Sequence, residues 1–132
     1  MKIEGKFLLD SAQDLGRWGE SVAKDFLAQQ GYTIIKQNYR NRFGEIDIIA
    51  KEKEYICFVE VKTRTADWQG HPLEAVTEFK QRKIIKVALG YLSDEDLLEH
   101  DLRFDIVSVI PLEGCSAEVE LLQNAFEVDE SF

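Results

Sequence analysis

The sequence predicts an α/β protein in which helices flank a mixed β-sheet. Residues 44–64 form two apolar segments joined by a short charged tip, which is the pattern of a β-hairpin. Apolar residues recur at helical spacing both before and after this hairpin. Near the C-terminus, residues 103–110 alternate like a further strand. The predicted order is therefore helix, three strands, helix, strand, strand.

The first helix is predicted between Ser11, a candidate N-cap, and Gly31, a helix-stop residue. Glu20 lies at the edge of its apolar stripe, so its side chain is able to point along the sheet. The alternative is an acid on a solvated helix face. A strand is expected at residues 32–37, and a polar, basic connection at 38–42 leads into the hairpin.

The second helix is expected at residues 72–92, with Ser93 as the candidate cap of a short helix after it. A last strand is predicted at 118–123, followed by an acidic tail. The whole chain, residues 1–132, is expected to form one domain with its core at about 11–126.

The predicted hairpin brings two acidic residues together. If Lys53 and Glu54 form the centre of the turn, Asp47 lies directly opposite Glu60 on the neighbouring strand. Side chains alternate along a strand, so Lys62 shares the face of Glu60. Directly opposed Cβ atoms lie about 4.5–5.5 Å apart, and two carboxylates that close repel each other unless positive charge lies between them.

This acidic pair is a candidate metal site. Lys62 supplies part of the compensating charge, and a divalent cation is able to supply the rest. Oxygen ligands, with water in the remaining positions, suit Mg²⁺ or Mn²⁺. The alternative is that Asp47 and Glu60 simply face solvent. The apolar strands favour the metal site, because a buried carboxylate is costly unless it is paired or bound to a cation.

The spacing of Asp47 and Glu60-Val61-Lys62 resembles the D…(D/E)xK signature of the restriction-endonuclease-like nuclease superfamily. Between about residues 15 and 110 the chain is similar to the YraN-like family of small bacterial proteins, which resemble archaeal Holliday-junction resolvases. The residues that carry this similarity are Gly16, Gly19, Glu20, Ala23, Leu27, Gly31, Tyr32, Asn38, Arg40, the segments GEIDIIA and FVEVKTR, Lys80, Arg103, Phe104 and Asp105.

The resemblance implies a restriction-endonuclease-like fold and a metal-dependent endonuclease that hydrolyses phosphodiester bonds of nucleic acid, with branched DNA as one candidate substrate. It implies that Asp47, Glu60 and the carbonyl of Val61 hold Mg²⁺ or Mn²⁺. Glu20 is the candidate third carboxylate. Lys62 would orient the attacking water or stabilise charge on the phosphate.

Basic and polar residues around the acidic pair are candidates for contact with nucleic acid. Arg64 directly follows the strand that carries the pair, and arginine binds phosphate through paired N–H donors. The resemblance implies that Lys80 and Gln81, on the second helix, return over the site. Arg40 and Arg42 are further candidates for phosphate contact, but a solvated turn explains these two equally well.

The sequence leaves two other functions open. One is a nucleic-acid- or protein-binding module on a nuclease scaffold that does not cleave. The other is a nuclease that is active only with a partner, which would dock on the acidic C-terminal part. The resemblance to resolvases also raises the expectation of a homodimer with two sites.

The charge of the chain is unevenly distributed. The net charge is −9, but residues 1–86 carry 15 Lys and Arg against 13 Asp and Glu, whereas residues 87–132 carry 1 against 12. A basic face for nucleic acid can exist beside an acidic remainder.

The sequence also predicts the compartment. It contains no apolar stretch of membrane-spanning length and no apolar signal region at its N-terminus, so a cytoplasmic protein without a membrane partner is expected. Cys57 and Cys115 are expected to be reduced.

Overall fold

The computed structural model describes residues 2–4, 12–65, 70–113 and 116–129, with side chains from residue 14 onward. The elements, in chain order, are β1 (Lys2–Glu4), α1 (Ala12–Gln29), β2 (Thr33–Asn41), β3 (Gly44–Glu52), β4 (Tyr55–Thr63), a 3₁₀ turn (Pro72–Ala75), α2 (Glu78–Asp94), β5 (Leu102–Leu112) and β6 (Ser116–Phe126). The strands form one six-stranded sheet in the order β1-β6-β5-β4-β3-β2.

The sheet is mixed, as predicted. β4 and β5 run parallel, and every other neighbouring pair is antiparallel. With one helix on each face, this is a restriction-endonuclease-like α/β architecture, and the predicted fold class is confirmed. Within the described residues, no helix has the length and apolar character needed to cross a membrane.

Two apolar clusters cover the two faces of the sheet. The cluster under α1 includes Ala23, Phe26, Leu27, Ile48, Val59 and Val107. The cluster under α2 includes Ile49, Phe58, Ile84, Ala88, Tyr91 and Phe104. Successive residues of β4, such as Phe58 and Val59, belong to opposite clusters, so this strand is covered on both faces. A charged residue in β4 therefore needs a specific partner.

The β3–β4 hairpin has the predicted register. Its turn is centred at Lys53, which adopts φ = 55°, and the pairing extends to Ile48 opposite Val59. The next residues along the two strands are Asp47 and Glu60.

α1 follows the prediction closely. It ends just before Gly31, which adopts φ = 97°, a left-handed conformation that glycine reaches without a steric cost. The proposed cap Ser11 lies outside the described residues. Cys57 is a buried free thiol, as expected, whereas Cys115 also lies outside the described part of the chain.

The second predicted helix is wrong in its first part. Residues 72–75 form a separate 3₁₀ turn, and Val76 is extended and buried in the core. Thr77 then caps α2, because its side chain accepts a hydrogen bond from the N–H of Lys80. The short helix predicted after Ser93 is also wrong, since Ser93 lies inside the last turn of α2.

The strands are longer than predicted. The basic connection expected at 38–42 is wrong, because β2 continues through Asn41. β5 continues through Pro111. Proline has no N–H to donate, but at this position that group would point towards β4, whose pairing with β5 has already ended at Val109. β6 extends beyond both predicted ends, and β1, which the sequence analysis did not predict, pairs with its start.

Candidate metal and nucleic-acid site

Asp47 lies where the ladder between β3 and β4 ends. Its Oδ2 accepts a hydrogen bond from the backbone N–H of Val61 at 2.8 Å. A side-chain carboxylate thus takes the place of a backbone acceptor on β3. Because the N–H and C=O of one strand residue point to the same side, the carbonyl of Val61 also faces Asp47.

Glu60 and Lys62 form an ion pair on β4. Lys62 Nζ lies 3.3 Å from Glu60 Oε1, and the two side chains are only 11% and 17% exposed. Both share the face of Phe58, which α2 covers. The single charge of Lys62 is thus engaged by Glu60, although Asp47 lies nearby.

Glu20 reaches the site from α1. Gly19 packs so closely against Thr63 of β4 that an added Cβ would overlap the Thr63 hydroxyl. This contact places the next residue, Glu20, beside Asp47, and, after burial, the charge of Asp47 helps to raise the pKa of Glu20.

Asn38 is a member of the site that the sequence analysis did not assign. Its side chain lies beside Glu20, where, against the larger effect of burial, it acts to lower the pKa of that carboxyl group, and its φ of 51° interrupts the regular geometry of β2. Asparagine enters this left-handed region more readily than most residues. An asparagine inside an otherwise strand-forming segment is the signal in the sequence that points to this position.

The three carboxyl groups resist ionisation. Burial raises the pKa of Asp47, against the opposing effects of the Val61 N–H and Lys62. Burial, and then the charge of Asp47, raises the pKa of Glu60 to about 7. Burial and Asp47 likewise raise the pKa of Glu20. The site therefore concentrates more negative charge than its own residues neutralise.

Two further basic residues border the acidic pair. Lys80, in the first turn of α2, lies beside Lys62, and this contact lowers the pKa of Lys80. Arg64 also acts on Lys80, and its backbone N–H is fixed by the carbonyl of Val109 at 2.9 Å. The structure thus brings Arg64 and Lys80 to the acidic pair.

The other proposed contacts with nucleic acid lie elsewhere or are already engaged. The amide of Gln81 donates to the carbonyl of Val76 at 3.0 Å. Arg40 pairs with Glu45 at 3.2 Å on the surface. Arg42 lies in the β2–β3 turn, with its guanidinium over the ring of Phe43.

The acidic C-terminal part leaves the pair uncovered where the structure describes it. The carbonyl of Asp101 accepts a hydrogen bond from the N–H of Ile56, at the start of β4. Glu60 lies four residues further along that strand, which corresponds to about 13 Å. The described acids of β6 are separated from β4 by β5.

The donor set fits a hard divalent cation. Asp47, Glu60 and the Val61 carbonyl offer oxygen atoms, and the raised pKa values indicate a shortage of positive charge. Within the described residues, however, no three His, Cys, Asp or Glu side chains are grouped to hold a metal ion. The three-carboxylate set that includes Glu20 is therefore not preformed.

The raised pKa of Glu60 predicts a pH-dependent stability. Protonated Glu60 favours the folded state, so this contribution is present below pH 4.5 and is lost as the pH rises through about 7. We expect the metal-free protein to have a lower Tm at pH 8 than at pH 5, and Mg²⁺ or Mn²⁺ to raise the Tm at pH 8.

Thermal unfolding of the parent and of Glu60→Gln, each with and without metal, checks this expectation. The glutamine variant should lose part of the pH dependence and most of the effect of the metal. An equal pH dependence in both proteins would show that it arises from other groups.

The sheet is mixed with a parallel central pair, a helix covers each of its faces, and its central hairpin carries an acidic pair and a lysine. These features define a restriction-endonuclease-like α/β protein. The chain belongs to the uncharacterised protein family UPF0102, whose family model matches residues 19–109. This confirms the predicted YraN-like membership.

Curated relatives match most of the chain. A UPF0102 protein of Chlorobium phaeobacteroides is 47% identical over 86% of this chain and 94% of its own length. A UPF0102 protein of Desulfosudis oleivorans is 46% identical over 92% of this chain and 97% of its own. A solved structure, Pyrococcus furiosus SfsA in complex with Ca²⁺, covers 94% of this chain and 68% of that chain, with 12% identity and a TM-score of 0.38. A likeness this distant carries no functional argument.

Proposed function

We propose that the protein is a divalent-metal-dependent nuclease that hydrolyses phosphodiester bonds of nucleic acid. The observation that carries this proposal is the pair of largely buried carboxylates, Asp47 and Glu60, where β3 and β4 separate, with Lys62 at 3.3 Å from Glu60. An acidic pair of this kind is unfavourable for the fold, which favours a functional reason for its presence.

Asp47, Glu60 and the carbonyl of Val61 would hold Mg²⁺ or Mn²⁺, with water as the remaining ligands. A bound cation of this class polarises a phosphate and makes water easier to deprotonate. The chain itself orients one of these ligands, because the Val61 N–H donates a hydrogen bond to Asp47 and Glu20 lies beside it.

Lys62 is the residue placed to act on the reacting groups. Its ammonium group has three donors, and Glu60 engages one of them in the ion pair. A second donor could bind the attacking water or an oxygen of the phosphate on which charge develops. Lys80 and Arg64, on the same side, would bind the neighbouring phosphates and set the position of the strand.

We propose nucleic acid as the partner, with DNA in first place and branched DNA as one candidate. A homodimer with two sites, and a protein partner at the acidic C-terminal part, stay predictions from the sequence. Asp101 and the described acids of β6 lie away from the acidic pair, and this position would leave the pair accessible to a polyanionic substrate.

A non-cleaving binding module is the second candidate. It is favoured by the absence, within the described part of the chain, of a preformed group of three metal-ligand side chains. Such a module would bind nucleic acid through Lys62, Lys80 and Arg64 without needing a cation. Titration of Mg²⁺ and Mn²⁺ by calorimetry separates the two candidates, because only the nuclease requires a cation at the acidic pair.

The direct test is cleavage of a panel of labelled substrates: single-stranded, duplex and four-way-branched DNA, and the matching RNA molecules. We expect cleavage of at least one of them in Mg²⁺ or Mn²⁺ and none in EDTA. Light scattering on the same preparation reports whether the active species is a dimer. Absence of both cleavage and cation binding would contradict the nuclease and leave the binding module.

A further inference from the structure

Three exposed residues and one half-buried glycine form a row along the flank of α2 that faces the β2–β3 turn. Phe79, Lys83, Lys86 and Gly90 are spaced by four, three and four residues, so they lie within one narrow arc of the helix. Lys80 borders this arc and lies beside Lys62. The row therefore starts at the candidate active site.

Exposed aromatic rings lie at the two ends of the row, and a cation accompanies each. Lys83 Nζ lies 5.2 Å from the centre of the Phe79 ring, which is 68% exposed. At the other end, the Arg42 guanidinium carbon lies 4.7 Å from the ring centre of Phe43, which is 40% exposed. Both pairs are cation–π contacts on the surface.

A groove of about 790 Å³ lies between the β2–β3 turn and the second half of α2. Arg42, Phe43, Lys86 and Gly90 line it together with the acidic Asp94. A side chain at Gly90 would meet Asn41 and the ring of Phe43, so glycine keeps the turn close to the helix.

The row and the groove continue one another. At the helical rise of 1.5 Å per residue, Lys80 and Gly90 are about 15 Å apart along α2, a length that a few nucleotides cover. Four cations (Lys80, Lys83, Lys86 and Arg42) follow this path in a chain whose net charge is −9. Among the described residues, no ion pair engages Lys83 or Lys86.

We propose that the row on α2 and the groove at Phe43 form a track for an unpaired strand of nucleic acid that leads to the site. This proposal rests on the proposed nuclease function and adds that the substrate has a single-stranded segment. An unpaired strand is the occupant that the chemistry favours, because exposed rings stack on bases only where the bases are unpaired, while the lysines bind phosphates. A duplex would use the lysines but leave both rings without a role.

The test measures binding of a labelled oligonucleotide of about 15 nucleotides, as DNA and as RNA, in EDTA at several salt concentrations. Lys83→Gln combined with Lys86→Gln should weaken single-strand binding about tenfold and lower the slope of log K against log salt by about 1.4. Phe43→Leu combined with Phe79→Leu should weaken it about tenfold as well, with an unchanged slope.

The matched control removes two lysines at the β3–β4 turn, which lies at the other end of β3 from the β2–β3 turn. Lys51 and Lys53 are both exposed, and Lys51→Gln with Lys53→Asn changes the net charge by the same amount. Asparagine is chosen at position 53 because it tolerates the φ of 55°. The control should bind within about twofold of the parent.

Four outcomes would overturn the track: a control that weakens binding as much as the α2 pair, an unchanged affinity in the phenylalanine pair, a parent that does not prefer single strands to blunt duplex, or equal competition by poly-glutamate. The last would indicate an acidic protein as occupant. Binding is measured without divalent metal, so a parent that binds as predicted but does not cleave would contradict the nuclease alone.

Discussion

Asp47→Asn is expected to reduce cleavage by about a thousandfold or more while the protein stays folded. Asparagine keeps the size of the side chain and an oxygen that can accept the hydrogen bond from the Val61 N–H. It removes the negative charge that would hold the cation. Because burial already disfavours that charge, the variant should be at least as stable as the parent at pH 8.

Measurements of nucleic-acid binding distinguish a variant that has lost the cation from one that has lost a contact with phosphate. Asp47→Asn should bind nucleic acid as tightly as the parent or slightly better, since a negative charge that faces phosphate is gone. Arg64→Ala should instead weaken duplex binding and lower the salt slope by about 0.9, the value for one phosphate contact. Glu60→Gln and Lys62→Ala should both lose cleavage, whereas Glu54→Gln, an exposed acid in the β3–β4 turn, should cleave like the parent.

The measurements are cleavage in Mg²⁺ and in Mn²⁺, binding by fluorescence anisotropy, and folding by circular dichroism. Full activity of Asp47→Asn in both metals would place the activity at another site or in a contaminant. Loss of binding in a folded Asp47→Asn would instead show that this carboxylate organises the binding surface.

The local part of the site was predictable from the sequence. The positions of Asp47, Glu60 and Lys62 follow from one register, which a charged four-residue tip between two apolar strands determines. The parallel pairing of β4 with β5 depends on a long crossover through α2, and the mixed sheet was predicted from the order of elements.

Contacts between distant parts of the chain were harder to predict. The proximity of Asn38 to Glu20 joins β2 to α1, and no periodicity in either segment indicates it. The sequence predicts too early a start for α2, because Pro72 suits the first turn of a helix. In the structure, the burial of Val76 and the cap formed by Thr77 determine where α2 begins. Such errors arise where tertiary packing outweighs local preference.

A second buried acid, Asp105 on β5, has the opposite environment from Asp47. Arg103 Nε donates to Asp105 Oδ1 at 2.9 Å, and Arg103 Nη2 donates to Asp105 Oδ2 at 3.0 Å. The Tyr32 hydroxyl donates to Oδ2 at 2.7 Å, and the backbone N–H of Asn124 donates to Oδ1 at 2.9 Å. The charge of Asp105 is thus balanced by a basic neighbour on its own strand.

Asp105→Asn is therefore expected to lower the free energy of unfolding by about 3–5 kcal/mol, because it leaves Arg103 buried with one of its two acidic partners removed. Urea unfolding at pH 7 measures this loss of unfolding free energy. Asp47→Asn is measured in parallel, and we expect no loss for it. Replacing both residues, Asp105→Leu with Arg103→Met, should cost less than the sum of the two single replacements, since each single change leaves the other partner of the Arg103–Asp105 pair buried without its counter-charge. If Asp105→Asn were as stable as the parent, the network would contribute little to the fold, and a functional role for Asp105 would have to be considered. If Asp47→Asn lowered the free energy of unfolding more than Asp105→Asn does, Asp47 would be a structural residue. The proposal that Asp105 stabilises the fold while Asp47 binds a cation would then be wrong.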